Sequence, residues 1–193
     1  MDDRGAISVS LKLRTERAAR CVARGGVVAY PTEAVFGLGC LADAPAAVAR
    51  ILAIKRRSWR KGVLLIGAAL EQIDRWAVLE GSPLLDVILA GWPGPHTWVL
   101  PARPRTPACV TGGRPSVAVR VTAHPVAAAL CMRAGSALVS TSANAAGRPP
   151  LREASAVRRS LGRVLDEVLA GPIGELAAPT PIRDGMTGRA LRG

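Results

Sequence analysis

Two stretches of the chain join an apolar run to a cluster of polar side chains that could hold a small ligand. The first, VVAYPTEAVFGLGC, runs from Val27 to Cys40 and carries Thr32 and Glu33 directly after a proline. The second, SALVSTSANAAG, runs from Ser136 to Gly147 and carries clustered hydroxyls and an amide. Apolar runs bounded by Pro and Gly are typical of buried strands, and α/β proteins bind ligands beyond strand ends. Either stretch alone is more simply an ordinary strand with a turn, but the pair predicts two walls of one site.

A basic segment, KRRSWRKG, begins at Lys55 and carries five positive charges in eight residues. It contains Lys55 and Lys61, two of only three lysines in a chain with 23 arginines. An ammonium is a compact point charge that fits among phosphate oxygens, whereas a guanidinium is a planar fork. Lys55, Arg57 and Lys61 therefore suit a polyphosphate. A solvated basic loop and a chance distribution of lysines are the simpler alternatives.

Arg120 stands in an alternating stretch, SVAVRVT, that predicts a strand over 116–122. The valines of this stretch would face one way and Arg120 the other. A guanidinium held on a strand face can bind a ligand carboxylate through two hydrogen bonds, although a solvent-exposed strand arginine is common. Further hydroxyl and amide donors are expected from the second polar stretch, at Ser140, Thr141, Ser142 and Asn144.

Strand and helix patterns alternate along the chain, which predicts an α/β fold with a mixed sheet. Strands are predicted at 27–30, 63–66, 97–100, 116–122, 138–140 and near 182. Helices are predicted at 15–24, 43–55, 70–79, 83–90, 125–133 and 153–169, with Thr15 and Asp43 as N-caps and with an interruption of the last helix near Gly162 as an alternative. Residues 101–115 are expected to form a mobile loop because they are rich in Pro, Arg, Thr and Gly. No linker interrupts the pattern, so residues 1–193 are expected to form a single domain.

The chain is strongly basic, with a formal net charge of +12 and a pI of about 11.2. Such a surplus favours polyanionic partners such as nucleotides or RNA, whereas an Arg-rich genome would scatter arginine without a function. Four cysteines without a CxxC spacing and two histidines argue against a zinc site and a disulfide framework, so no metal site is predicted. No apolar run reaches membrane-spanning length and the N-terminus lacks a signal-peptide pattern, which predicts a cytoplasmic protein with no membrane association.

No Walker A, GxGxxG or GxSxG motif is present, so a common nucleotide-binding fold is not indicated. The chain does contain YPTEAVFGLGC, then KRR with a following KG and an apolar strand, then WPGPHTWVLPA, SVAVRVTAHP and LVSTSANAAGRPP. In this order, from about residue 16 onward, these motifs resemble the YrdC-like family, and most of all its short bacterial threonylcarbamoyl-AMP synthase group (TsaC type). The resemblance implies a single-domain YrdC-like α/β fold, with a twisted mixed sheet and flanking helices around a concave basic cavity.

The resemblance also implies an activity. L-threonine, bicarbonate and ATP would give L-threonylcarbamoyladenylate and pyrophosphate, with Mg²⁺ accompanying ATP. Downstream proteins would use the product to form threonylcarbamoyladenosine in tRNA, and weak direct binding of tRNA or other RNA is a further expectation. Such a nucleotidyl transfer needs positioning and charge neutralisation more than covalent help, which agrees with a site rich in cations and hydroxyls.

Matched position by position, the resemblance implies roles for individual residues. Lys55 and Arg57 are expected to be catalytic. The residues expected to bind ATP are Arg57, Lys61, Ser116, Ser142, Asn144 and Arg192. The residues expected to bind threonine are Thr32, Arg120, Ser140 and Thr180. Many relatives carry a second threonine after the glutamate and a histidine in the strand after the basic segment, where this chain has Ala34 and Ile66.

Two other functions are compatible with the same residues. A non-catalytic RNA-binding module acting in RNA maturation would use the basic surface around a concave site, and its affinity would fall steeply with salt. A nucleotide sensor would bind ATP without turnover. Pyrophosphate release that requires both threonine and bicarbonate distinguishes the enzyme from either alternative.

Overall fold

The described residues form nine strands in one twisted mixed sheet. Several of these strands are short runs rich in Val, Leu and Ala that lie between turns. The computed structural model describes residues 9–177 and 180–192, without the side chain of Arg192. The strands are β1 (Val28–Pro31), β2 (Phe36–Gly39), β3 (Leu64–Gly67), β4 (Thr97–Pro101), β5 (Ser116–Val121), β6 (Leu138–Ser142), β7 (Glu167–Val168), β8 (Ile182–Asp184) and β9 (Ala190–Arg192). Their order across the sheet is β7-β1-β2-β6-β3-β5-β4-β8-β9.

Strand β6 joins the two halves of this sheet. It pairs antiparallel with β2, where Gly37 lies opposite Ser142, and with β3, where Leu64 lies opposite Ser140. The pairs β1–β7, β3–β5 and β4–β8 are parallel, so the sheet is mixed as predicted. Because β6 lies between β2 and β3, its polar end is next to both halves of the sheet. Both neighbouring strands come much earlier in the sequence.

Helices cover both faces of the sheet. Those in the described residues are α1 (Val9–Ala23), α2 (Pro45–Ile54), α3 (Leu70–Asp74), α4 (Leu85–Ala90), α5 (Ala108–Thr111), α6 (Pro125–Ala134) and α7 (Ala154–Leu161), with 3-10 turns at Trp59–Lys61 and Gly162–Val164. Within the part of the chain that the structure describes, no helix is both long and apolar enough to cross a membrane.

The two faces of the sheet carry separate apolar cores. Leu138 packs with α1 and α6, whereas the next residue, Val139, packs on the opposite face with α2, α3, α4 and α7. This is the alternation expected of a strand. The three valines of β5 lie in the second core, as the sequence predicts, so Arg120 points to the other face. Each fully buried aliphatic side chain contributes about 1.5–3 kcal/mol to folding.

Two predicted helix starts are wrong. Helix α1 already begins at Val9, so Thr15 is an interior residue whose hydroxyl donates to the Leu11 carbonyl oxygen at 2.8 Å. Helix α2 begins at Pro45, and its N-cap position carries no side-chain hydrogen bond, so Asp43 lies outside the helix. Proline has the backbone angle of a first helical residue, which explains why the boundary falls there.

Three other segments also differ from prediction. The helix predicted over 70–79 ends at Asp74. The helix predicted over 153–169 ends at Leu161, next to the interruption considered near Gly162, but the chain then forms a 3-10 turn and strand β7, which pairs with β1, instead of resuming the helix. The loop predicted over 101–115 contains α5. In the second case a tertiary strand pairing overrides local helix propensity, which is a weak determinant by itself.

Candidate active site

A cavity of about 550 Å³ opens on one face of the sheet, within the ~300–1,000 Å³ range of small-molecule sites. Ser140 and Ser142 lie on the same face of β6 as Leu138, because side chains two apart on a strand share a face. The remaining walls come from the turn after β1, the basic segment after α2, helix α5, strand β5 and the residues that enter β8. Segments distant in sequence therefore meet around one space.

Most of the predicted site residues line this cavity. They are Thr32, Lys55, Arg57, Lys61, Ser116, Arg120, Ser140, Ser142 and Thr180. Asn144 is not part of the lining but contacts two residues that are, Lys55 and Ser142. The side chain of Arg192 lies outside the described residues.

One end of the cavity, the lysine end, consists of Lys55, Arg57, Lys61, Ser142 and Asn144. Lys55 Nζ donates to the Ser142 carbonyl oxygen at 2.7 Å, to Ser142 Oγ at 3.1 Å and to Asn144 Oδ1. Ser142 Oγ donates to Asn144 Oδ1 at 2.7 Å. Asn144 is fixed by its own amide, which donates to the Arg148 carbonyl oxygen at 2.6 Å. The ammonium is thus held by neutral oxygens from the end of β6.

The charge of Lys55 is costly in this position. Burial first, and then the nearby positive charge of Arg57, lower the pKa of Lys55 to about 8. In the described residues no carboxylate forms an ion pair with Lys55. Its positive charge is therefore available to an anionic ligand.

The basic segment is shaped by its own backbone. Arg57 Nη2 donates to the Gly62 carbonyl oxygen at 3.0 Å, which closes the segment into a loop. Gly62 has a φ of 65°, and a Cβ there would lie 3.0 Å from the Val110 carbonyl oxygen. A glycine is therefore required for the loop to pack against α5. This packing fixes the backbone that carries Arg57 and Lys61 beside the cavity.

At the other end of the cavity, the arginine end, the lining residues are Thr32, Arg120 and Thr180, and Glu33 contacts Arg120 without lining the cavity itself. Arg120 Nη2 lies 3.1 Å from Glu33 Oε2, and both side chains are buried, with 4% and 10% of their surface exposed. Arg120 Nη1 donates to Thr180 Oγ1 at 2.8 Å. The cation at this end is thus paired with a carboxylate.

Thr32 and Ser140 form a confined corner beside Gly37. Thr32 Oγ1 donates to the Val35 carbonyl oxygen at 2.7 Å, so the threonine is fixed within its turn. A Cβ at Gly37 would lie 3.2 Å from Thr32 Cγ2 and 3.5 Å from Ser140 Oγ. The absence of a side chain at Gly37 therefore lets the Thr32 and Ser140 side chains pack closely over the backbone of β2.

The cavity also includes residues that sequence reasoning missed. Arg114 adds a cation from the loop before β5, and Asp184 is the one acidic side chain among the described lining residues. Backbone N–H groups of Met186 and Thr187 donate to Asp184 Oδ1, each at 2.9 Å, and lower the pKa of this carboxyl. The sequence DGMTG from Asp184 to Gly188 is typical of a tight turn, but it gives no sign that Asp184 faces a ligand space.

The two departures from the common motif have different outcomes. Ala34 lines the cavity. Ile66 is fully buried with α6 on the opposite side of β3 from Leu65 and does not line the cavity. His124 also stays outside the lining. Its Nδ1 accepts from the Ala127 N–H at 3.3 Å and caps α6, and burial lowers its pKa.

Comparison with known proteins identifies relatives over nearly the whole chain. The family model Sua5_yciO_yrdC, described as telomere recombination, matches residues 20–192. The threonylcarbamoyl-AMP synthase of Alkalilimnicola ehrlichii is 55% identical over 182 residues, covering 91% of this chain and 95% of that protein. The protein of the same name from Halorhodospira halophila is 53% identical over 179 residues, covering 93% and 94%.

A solved structure has the same fold. The crystal structure of P. abyssi Sua5 complexed with L-threonine matches with a TM-score of 0.82 and 31% sequence identity. The match covers 90% of this chain and 51% of the P. abyssi protein, so this chain spans about half the length of that relative. The predicted α/β fold with a mixed sheet and flanking helices is confirmed.

Proposed function

This chain belongs to the Sua5/YciO/YrdC family, and we propose that it is an L-threonylcarbamoyladenylate synthase. The observation that carries the proposal is one cavity with an unpaired lysine charge at one end and a paired arginine at the other. Relatives named threonylcarbamoyl-AMP synthase, at 55% and 53% identity, support the choice of reaction. The substrates would be ATP, L-threonine and bicarbonate.

The lysine end suits the triphosphate of ATP. Lys55, Arg57 and Lys61 would neutralise phosphate charge, and Ser116, Ser142, Asn144 and Arg192 would complete the ATP site. The arginine end suits threonine, with Arg120 opposite its carboxylate and with Thr32, Ser140 and Thr180 around its remaining polar groups. Ser140 and Ser142 stand two residues apart on β6, so both ligands would lie against the same strand.

The proposed reaction has two steps, formation of a carbamate and transfer of the adenylyl group. The amine nitrogen of threonine attacks the bicarbonate carbon, and loss of water leaves a carbamate. A carbamate oxygen then attacks the α-phosphorus, the bond to the β-phosphate oxygen breaks, and pyrophosphate leaves. Lys55 and Arg57 would act by stabilising charge on the phosphoryl oxygens, a role in which positioned cations are highly effective. Because three neutral oxygens already occupy the Lys55 N–H donors, one contact must be exchanged when phosphate binds.

A magnesium ion would arrive with ATP, and the described lining of the cavity offers one carboxylate that could contact it. Magnesium is commonly held by one or two carboxylates together with substrate phosphates and water. Asp184 supplies one carboxylate to the described lining, and no cluster of three metal-ligating side chains occurs in the described residues. Bound Mg²⁺ would neutralise the triphosphate, and Asp184 is the residue that would hold it.

The product is a reactive mixed anhydride, so a second protein must accept it. We propose a cytoplasmic role in which tRNA threonylcarbamoyl-transfer proteins consume the adenylate. Direct binding of tRNA by the net positive surface is a weaker component of the same proposal.

Mass spectrometry of the full-length chain with ATP, threonine, bicarbonate and Mg²⁺ tests the proposal. We expect threonylcarbamoyl-AMP and an equal amount of pyrophosphate, and neither when threonine or bicarbonate is omitted. Lys55→Ala should lower the rate of formation of both products by about 100-fold or more, while Lys12→Ala, which alters an exposed lysine on α1, serves as the matched control. Salt-sensitive RNA binding without the adenylate would instead favour the RNA-binding module, and ATP binding without turnover would favour a nucleotide sensor.

A further inference from the structure

Glu33 is a buried carboxylate that does not line the cavity, and the proposed roles leave it unused. Its partner Arg120 does line the cavity and is only 3% exposed. A charged group seldom occupies an interior unless it is paired and hydrogen-bonded. The pair therefore requires both members, although only one of them can reach a ligand.

Both carboxylate oxygens of Glu33 have defined neighbours. Oε1 accepts from Thr122 Oγ1 at 2.6 Å, and Oε2 lies 3.1 Å from Arg120 Nη2. Thr122 is itself 1% exposed, and its hydroxyl also accepts from the His124 N–H at 3.2 Å. The Glu33 carboxylate is thus held by Thr122, at the end of β5, in addition to its contact with the Arg120 guanidinium.

The backbone of Glu33 is held equally firmly. The Thr32 carbonyl oxygen accepts from the Gly174 N–H at 2.9 Å, and the Glu33 carbonyl oxygen accepts from the Leu176 N–H at 3.1 Å. A Cβ at Gly174 would lie 2.5 Å from the Glu33 carbonyl oxygen, so the segment around Gly174 packs directly on this turn. Glu33 therefore has little freedom to move away from Arg120.

Each terminal nitrogen of Arg120 carries two N–H groups, so each keeps one N–H beyond the contacts described here. Nη2 faces Glu33 and Nη1 donates to Thr180 Oγ1. Arg120 Nε is buried and has no hydrogen-bond partner among the described residues. A guanidinium held in this way presents a fixed donor set, and the neighbouring carboxylate cancels its net charge.

We propose that Glu33 is a positioning residue for the amino-acid substrate, an inference that rests on the proposed function. Its ion pair holds the Arg120 guanidinium in place, so that the terminal N–H groups that do not face Glu33 or Thr180 meet the substrate carboxylate. By cancelling the charge of Arg120, it also prevents this end from attracting phosphate. Glu33 thus determines that the arginine end takes an amino acid and leaves the triphosphate to the lysine end.

Steady-state kinetics of Glu33→Gln test the inference. We expect the KM for threonine to rise about 10-fold or more, since a charge-assisted contact is lost, while the KM for ATP changes less than about twofold. Inorganic phosphate should become a competitive inhibitor against threonine in this variant but not in the unaltered chain. Glu16→Gln, which alters an exposed carboxylate 3.9 Å from Arg133, is the matched control and should change neither KM.

Thr122→Val keeps the inference falsifiable if Glu33→Gln does not fold. It retains the carboxylate charge but removes the hydroxyl that fixes it, so the KM for threonine should rise roughly 2- to 10-fold with the KM for ATP unchanged. Thr122→Ser should restore the original value. An unchanged threonine KM in Thr122→Val, or an equal rise in both KM values, would overturn the inference. If the unaltered chain releases no threonine-dependent pyrophosphate, the proposed function itself fails.

Discussion

The two ends of the cavity differ in the groups that surround their cations, which are neutral at one end and include a carboxylate at the other. At the lysine end, Lys55 is held by carbonyl, hydroxyl and amide oxygens, none of which cancels its charge. At the arginine end, Arg120 is paired with the buried carboxylate of Glu33. A polyphosphate requires uncompensated cations, whereas a zwitterionic amino acid requires directed donors without excess charge. Under the proposed function, the groups that contact each cation, rather than the cations themselves, would determine which of the two anionic ligands binds at each end of the cavity.

The largest effect should come from Lys55→Ala. Removing a positioned charge that stabilises a phosphoryl group typically costs about 10²- to 10³-fold in rate, and we expect a loss of that size in kcat/KM for ATP. Circular dichroism should show a retained fold, because Lys55 is only half-buried. A variant whose main defect is in the KM for threonine would break the assignment of the two ends.

Arg120→Lys should have the next largest effect. Lysine keeps the charge but cannot contact Glu33, Thr180 and a ligand with a planar fork. We expect the KM for threonine to rise about 10-fold, the equivalent of one charge-assisted hydrogen bond, with little change in the KM for ATP. Arg133→Lys at the partly exposed Arg133–Glu16 pair is the control. Equal defects for both substrates would mean that the ends are not separate.

The pH dependence of ATP binding should follow the charge of Lys55 at the lysine end. The pKa of Lys55 is lowered to about 8, so its ammonium is intact below this pH and is lost as the pH rises through it. We expect the ATP dissociation constant, measured by calorimetry without threonine, to increase toward tenfold per pH unit above about 8. Lys55→Arg should flatten the profile because a guanidinium remains charged. A flat profile in the unaltered chain would contradict the prediction.

Lys61→Ala should have the smallest effect. Lys61 is exposed at the edge of the lysine end, and exposed charge pairs contribute about 0.2–1 kcal/mol. We therefore expect the KM for ATP to rise no more than about fivefold, with the difference disappearing at high salt. A loss of activity as large as that of Lys55→Ala would contradict the prediction and would mean that Lys61 contacts the phosphates directly.

Residue types in the sequence singled out side chains that the structure brings together at the lysine end. Lys55 and Ser142 were both singled out by residue type, and their contact joins the end of α2 to the end of β6. The valine alternation of β5 placed Arg120 on the correct face, because a two-residue period depends on the strand alone. The fold class followed from the same local patterns and from the family resemblance.

Contacts between residues far apart in the sequence could not be predicted from the sequence. Glu33 belongs to a polar cluster that was predicted to hold a small ligand, yet its carboxylate is engaged by Thr122 and Arg120, residues from a distant strand end. Strand β7 was predicted as helix because its pairing with β1 cannot be inferred from its own residues. Thr15 has the residue type of an N-cap, but this type also occurs inside helices, where the hydroxyl bonds a carbonyl oxygen four residues earlier.

Strand β6 is the seam between the two halves of the sheet, and its polar end is also a wall of the cavity. A substrate that touches Thr32 on one half and Arg120 on the other bridges that seam, so occupancy should stabilise the fold as well as begin the reaction. At a hundred times the dissociation constant the gain is about 2.7 kcal/mol, visible as a higher melting temperature and slower amide exchange in β6. The lifetime of this protein in a cell would then follow the supply of its own substrates.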